Sequence, residues 1–225
     1  MTTKRKTRSE TLPRGRHGLP RELVVENQRA RLVSGMIEAV ADCGYGDATI
    51  AEVIDRAKIS RRTFYETFGN KEDCYRAAYE TTFEYLQDLV LTAASGEDWP
   101  GSVRAGLDAL LEDLAAHPKL ASFFLVSPAS VGDEIATRHH LALRELVEAL
   151  VSKAPARKAS TVAAETRFEA LAGGFARLTA MKVNAGKGDE LPALLPDLVE
   201  LFLRPFVGSE EAIRVAWGDE RLDRR

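Results

Sequence analysis

Between Ser60 and Lys71 the chain gathers side chains suited to recognition rather than to bond making. Arg61 and Arg62 offer planar guanidinium forks, Thr63 and Thr67 a hydroxyl beside a methyl, Tyr65 a phenol and Lys71 a point cation. A fork of donors matches the O6/N7 edge of guanine in a DNA major groove, and a threonine fits a base edge or a thymine methyl. A phenol or an ammonium can reach a phosphate oxygen. Lys71 opens a helix, so its cation stands beside unpaired amides that also suit a phosphate, and Thr49 offers the same geometry one helix earlier. The candidate DNA-binding set is therefore Thr49, Ser60, Arg61, Arg62, Thr63, Tyr65, Thr67 and Lys71.

Nothing comparable points to catalysis. There is no Gly-rich phosphate loop, no nucleophile elbow and no arranged carboxylate pair. His139 and His140 lie near Glu134, but adjacent histidines on a helix point about 100° apart and do not easily share a metal. The two cysteines, Cys43 and Cys74, are too few for a disulfide scaffold and lack metal-ligand spacing. No catalytic residue, metal or cofactor is expected.

The recognition residues need elements to position them. On a helical wheel Ser60, Phe64 and Phe68 share one side and Arg61, Arg62, Tyr65 and Glu66 the other. So short a helix cannot persist alone, so its phenylalanines must dock on neighbours and present the cationic side outward. Those neighbours are legible. Val33, Met36, Ile37 and Val40 form the stripe of a helix that starts near Glu22 and stops at Gly44. Thr49-Ile50-Ala51-Glu52 is a capping box, and Ile50, Val53, Ile54 and Ala57 repeat the same spacing over two turns. Ser60 then caps a helix running to about Thr67, which gives the spacing of a helix-turn-helix, and a further start follows at Asn70.

The stretch Arg29 to Tyr75 resembles the N-terminal domain of the TetR family of bacterial transcriptional regulators. The resemblance rests on Gly44-Tyr45, Ala48-Thr49-Ile50, Ala57-Lys58-Ile59-Ser60-Arg61-Arg62-Thr63-Phe64-Tyr65, Phe68 and Asn70-Lys71-Glu72. It implies a three-helix DNA-binding domain, a ligand-responsive helical body, homodimerisation through the last two long helices, and repression relieved by a small molecule. By position, Thr63, Tyr65 and Lys71 match the family's DNA-facing residues, with Thr49 at the cap of the second helix. Lys58 stands where the family commonly has a turn glycine, and Arg62 replaces a frequently small residue, which alters the bases read. Glu66 is awkward near phosphates, although it could accept from a cytosine amino group.

Beyond Lys71 the pattern is long helices and few turns, with no period-two alternation. Helices are expected around Tyr79 to Val90, Leu107 to Leu114, Leu120 to Val126, from beyond Pro128 to Lys153, Thr161 to Asn184 and Leu191 to Phe206, with a small one over 209–218. The fold class is all-α, with about nine or ten helices. Residues 1–21 form a flexible basic arm, 22–70 a helix-turn-helix domain, 71–218 a larger ligand-binding and dimerisation domain, and 219–225 a charged tail. Phe168, Leu171, Phe175 and Leu178 form one seam, and Leu191, Leu195, Leu198 and Phe202 another. Periodicity leaves core and subunit interface open; the resemblance assigns both seams to the interface. Tyr79, Phe83, Trp99, Phe123, Phe124 and Met181 are the apolar candidates for a ligand pocket.

Bulk properties agree. At 225 residues, 45 % hydrophobic and 29 % charged, the chain can bury a sizeable core, and its apolar runs fall far short of the ~18 residues of a membrane span. No apolar stretch of signal-peptide type follows the basic start, so a cytoplasmic protein without membrane contact is expected. The net charge of −3 hides an asymmetry: residues 1–75 carry 14 basic against 11 acidic side chains, the remainder 17 against 23. Lys4, Arg5, Lys6, Arg8, Arg14, Arg16 and Arg21 face only Glu10 in the first 21 residues. A basic front on an acidic body calls for a polyanion at the front.

The expected partners are a palindromic DNA operator, a second copy of the chain, and a largely apolar small molecule that releases a repressor. The alternatives are a DNA-binding regulator without a small ligand, and an enzyme or lipid carrier built on the helical body.

Overall fold

Side-chain caps and turn glycines set several of the helix boundaries among the described residues. The structure, a computed structural model, describes residues 20–96, 98–154 and 163–218. The arm over 1–19 and the tail over 219–225 lie outside them, whereas Arg21 is the first residue of α1 (Arg21–Asp47). At Gly44 φ is +79°, which breaks the helical path where the glycine is expected to end it. Thr49 caps α2 (Ile50–Ala57) with both halves of the capping box in place, and Ser60 caps α3 (Arg61–Thr67). The Asn70 side chain accepts from the Asp73 amide at 2.9 Å and opens α4 (Lys71–Ala93).

Further along run α5 (Trp99–Ala116), α6 (Pro118–Leu125), α7 (Pro128–Val131), α8 (Asp133–Val151) and α9 (Ala164–Asn184). A 3-10 segment (Gly188–Leu194) leads into α10 (Leu195–Val207) and α11 (Ser209–Trp217). The described residues are all-α, with eleven α-helices rather than nine or ten. Two breaks account for departures from the expected elements. Gly132, at φ +149°, splits the helix expected after Pro128 into a single turn and α8. Pro192 and Pro196 keep Leu191 to Leu194 out of the last long helix, because a proline contributes no amide to the α-helical ladder.

The chain divides into two compact units, Met1–Ala78 and Tyr79–Arg225, and the division falls inside α4 rather than at its start. In the first unit Leu32, Met36, Val40, Val53, Phe64, Phe68, Cys74 and Tyr75 form a closed core. Gly35 permits α1 and α2 to meet backbone to backbone, since a Cβ there would lie 2.7 Å from the Val53 carbonyl oxygen. In the second unit α5 is central: Leu107, Leu110, Leu111 and Leu114 are buried, and α6, α8, α10, α11 and the 3-10 segment pack around them. Among the described residues no helix is long and apolar enough to cross a membrane.

Candidate nucleic-acid interface

α3 has only seven residues and holds its orientation by what it buries. Phe64 and Phe68 are inside, 6.0 Å apart between ring centroids, and the Arg29 guanidinium closes over the Phe68 ring at 4.9 Å. Arg61, Arg62, Tyr65 and Glu66 are exposed, Tyr65 by 52 %. Its ring is braced edge-on against Phe64 at 5.4 Å. The two-sided helix read from the wheel is therefore present, with the cationic, phenolic side outward.

Several of the expected DNA-binding side chains already have partners within the unit. The Ser60 hydroxyl accepts from the Thr63 amide at 3.1 Å and lies 2.9 Å from the Thr63 hydroxyl. Thr67 donates its hydroxyl to the Thr63 carbonyl at 2.9 Å. Thr49 accepts from the Glu52 amide at 3.2 Å, while its own amide and hydroxyl donate to the Glu52 carboxylate at 2.8 and 3.0 Å. Those bonds hold the Glu52 carboxyl below its ordinary range. Ser60, Thr67 and Thr49 thus orient helices first.

Lys71, assigned from sequence to phosphate alone, also has an internal role. Its ammonium donates to the carbonyls of Tyr45 at 2.8 Å and Ala48 at 3.0 Å, and sits 4.1 Å above the Tyr45 ring. It neutralises carbonyls left open where α1 breaks at Gly44. Arg62 is likewise partnered, through Nε to Glu66 at 2.8 Å. Neither Tyr45 nor Glu66 was among the expected site residues; the i,i+4 spacing of Arg62 and Glu66 was the signal available for the second.

In the turn before α3, Lys58 lies in the left-handed region at φ +52°, ψ +44°, the only non-glycine residue with positive φ among the described residues. Its carbonyl accepts from Arg31 at 2.9 Å, and the next amide, Ile59, donates to Ile54 at 3.0 Å. The turn holds this position in αL, the conformation that suits glycine, so Lys58 carries its side chain there at a steric cost.

Only some of the residues expected to line one pocket come together. Tyr79, Phe83, Phe123 and Phe124 are buried, with Tyr79 stacked on Phe124 at 5.7 Å and its hydroxyl 2.9 Å from His139 Nδ1. Trp99 belongs to another cluster, donating to the Leu150 carbonyl at 3.0 Å and meeting Phe206 edge-on. Met181 is 51 % exposed on α9. A cleft of about 290 Å³ opens beside Tyr79 and Phe83, and Glu80, Glu84, Gln87, Arg138 and Glu145 make its walls more polar than expected.

The expected dimer seams need a similar correction. Leu171, Phe175, Leu191, Leu195, Leu198 and Phe202 are buried within the second unit, and Phe168 is partly covered. Of the two seams only Leu178 is open, at 40 %. The outward faces carry Gly173, Leu178 and Met181 on α9 and Leu201, 42 % exposed, on α10. Large apolar residues at helical spacing went to the protomer's own core, which has first claim on them.

An outward recognition helix fixed by two capped neighbours, followed by an all-helical body, defines a helix-turn-helix transcription regulator. Residues 36–78 match the family model of bacterial regulatory proteins, tetR family. The fold is shared with the fatty acid degradation regulator FadR of Bacillus halodurans, 17 % identical, with a TM-score of 0.69 over 78 % of this chain and 94 % of that one. It is shared with FadR of Bacillus subtilis in complex with stearoyl-CoA, 14 % identical, TM-score 0.63, over 78 % and 98 %. A TetR family regulator from Marinobacter aquaeolei, 16 % identical, gives a TM-score of 0.58 over 79 % and 97 %. No curated protein matches the chain in sequence.

Proposed function

We propose that this regulator is a homodimeric, sequence-specific repressor that leaves a two-fold operator when a small molecule binds its helical body. One observation carries the DNA reading: α3 and the residue after it bury Phe64 and Phe68, and α3 presents Arg61, Arg62 and Tyr65 outward. Arg61 and Arg62 supply base-reading donors, Thr63 and Tyr65 supplementary contacts, and Lys71 a cation near the helix start whose third N–H is free of the two carbonyl bonds. Dimerisation is assigned to the outward faces of α9 and α10 around Leu178, Met181 and Leu201, which lets two copies of α3 address two half-sites.

The likeness to a FadR that holds stearoyl-CoA supports an effector with a long apolar part. In this chain Tyr79 and Phe124 are stacked and buried, so such an effector enters by parting them, and the cleft beside Tyr79 and Phe83 is the place to begin. The same close packing favours a second reading, a regulator that answers to no small molecule.

Selection of bound sequences from random duplexes tests the DNA reading, and release of the selected duplex by long-chain acyl-CoAs and other amphiphiles tests the effector reading. A palindrome bound by a dimer and released by one class of amphiphile is the expected result. Absence of any sequence preference, or a single half-site bound by a monomer, overturns the first reading. A palindrome that no compound releases transfers the case to the second.

A further inference from the structure

We propose that Arg62 reads a guanine in each half-site and that Glu66 is its positioning residue. The inference rests on the chain being a sequence-specific DNA binder and adds to it a named base and a named pair. Arg62 and Glu66 lie one helical turn apart on the outward side of α3, and Arg62 Nε donates to Glu66 Oε1 at 2.8 Å. A guanidinium bound through Nε still presents Nη1 and Nη2 along its far edge, and that pair of donors matches guanine O6 and N7. The Arg62 side chain is 88 % exposed, so this edge faces the solvent that a major groove would replace.

The pairing also accounts for a carboxylate on a surface meant for a polyanion. Alone, Glu66 would repel phosphates; held against Arg62 its charge is locally offset, and its oxygen orders a side chain that otherwise samples many rotamers. Arg61 has no such brace, since among the described residues no carboxylate is paired with it. Thr63 shares its hydroxyl with Ser60 at 2.9 Å. Of the outward residues, Arg62 is therefore the one with its donors pre-aimed.

The test uses the full-length protein and a random pool of double-stranded oligonucleotides at fixed salt, followed by binding to the selected duplex with each base pair replaced in turn. Wild type is expected to require a G·C pair at one position of each half-site, and Arg62→Ala to lose ~5- to 150-fold of discrimination there while other positions hold. Arg62→Lys, which keeps the charge but not the fork, should lose the same discrimination. Glu66→Ala should relax the preference at that position without weakening binding to scrambled duplex, whereas Glu66→Gln, which still offers an acceptor to Nε, should keep most of it.

Equal weakening of selected and scrambled duplex by Arg62→Ala, with a shallower salt dependence, would make Arg62 a phosphate contact and overturn the inference while leaving sequence-specific binding intact. An unchanged preference at every position in Arg62→Ala, or in Glu66→Ala, overturns it for that residue. If wild type selects no sequence at all, the proposed function fails and the inference with it.

Discussion

Lys71 and Tyr45 are joined twice: the ammonium donates to the Tyr45 carbonyl at 2.8 Å and rests 4.1 Å above the Tyr45 ring. With a second bond to the Ala48 carbonyl, the first residue of α4 ties down the segment between the Gly44 break and the Thr49 cap, and so the start of α2. Bonds from a charged donor contribute about 1.5–3 kcal/mol and a partly exposed cation–π contact about 0.5–1 kcal/mol, less the solvation the ammonium regains on release. Lys71→Ala should therefore lower the stability of the N-terminal unit by ~1–2 kcal/mol, seen as a lower urea midpoint. It should also weaken binding to selected and scrambled DNA by similar factors. An unchanged midpoint would return Lys71 to a purely phosphate role.

Lys58 offers a gain of the opposite sign. At φ +52° its Cβ is crowded by the backbone, a penalty glycine does not carry, and its exposed pair with Asp55 at 3.2 Å contributes little. Lys58→Gly is expected to raise stability by ~0.5–1 kcal/mol, the strain relief exceeding the extra chain entropy of glycine in the unfolded state. The check is a higher urea midpoint at unchanged slope.

Gly35→Ala should do the reverse. The new Cβ would stand 2.7 Å from the Val53 carbonyl oxygen and 3.2 Å from the Ala57 amide, both backbone atoms that move only with α2. A cost of ~1–3 kcal/mol is expected from such overpacking. Because α2 carries the turn into α3, specific DNA binding should fall with it; a variant with native stability would show that α1 and α2 have room to separate.

Those three residues illustrate which parts of the molecule were legible in sequence. Signals carried by one or two turns of chain were readable, because a capping box such as Thr49/Glu52, a cap such as Ser60 or a stop such as Gly44 is satisfied locally. The inward placement of Phe64 and Phe68 followed from the same wheel that turned Arg62 outward. Non-local choices were not readable. Phe175 and Leu178 stand three residues apart on one helix, yet the first is in the core and the second is open, and only the packing of α9 on its neighbours decides between them. The pocket candidates divide between clusters for the same reason, since aromatic character cannot tell that Trp99 meets Phe206 while Tyr79 meets Phe124 and His139. Lys71 had two uses, and the sequence advertised only one.

The α9 and α10 faces separate association from folding. Leu178→Glu with Leu201→Glu places two carboxylates on the outward surface, where they cost the protomer little but would be buried unpaired in a two-fold interface. The double variant is expected to sediment as a folded monomer and to bind a palindrome at least tenfold more weakly. Phe175→Ala, in the core, should instead lower stability by ~3–5 kcal/mol. A double variant that remains dimeric would move the interface elsewhere.

The Tyr79–His139 pair gives the second unit an acid-sensitive point. Burial, helped by the neighbouring His140, lowers His139 from its ordinary 6.5 to about 4, and burial keeps the Tyr79 phenol protonated by raising it. Near neutrality the Tyr79 hydroxyl can therefore donate to an unprotonated Nδ1, 2.9 Å away; protonation turns that nitrogen into a donor, and the hydroxyl must reverse. For a base whose folded value lies below its unfolded one, the stabilisation is complete above about pH 6.5 and is lost as pH falls toward about 4. Wild-type urea midpoints should accordingly decline through that window. His139→Asn, which can still meet the Tyr79 hydroxyl but does not titrate, should start lower at pH 7.5 and decline less between pH 6.5 and 4.5, while His140→Gln should keep most of the wild-type slope. Parallel curves for wild type and His139→Asn would show that the acid limb belongs to other groups and that His139 is not held neutral by its surroundings.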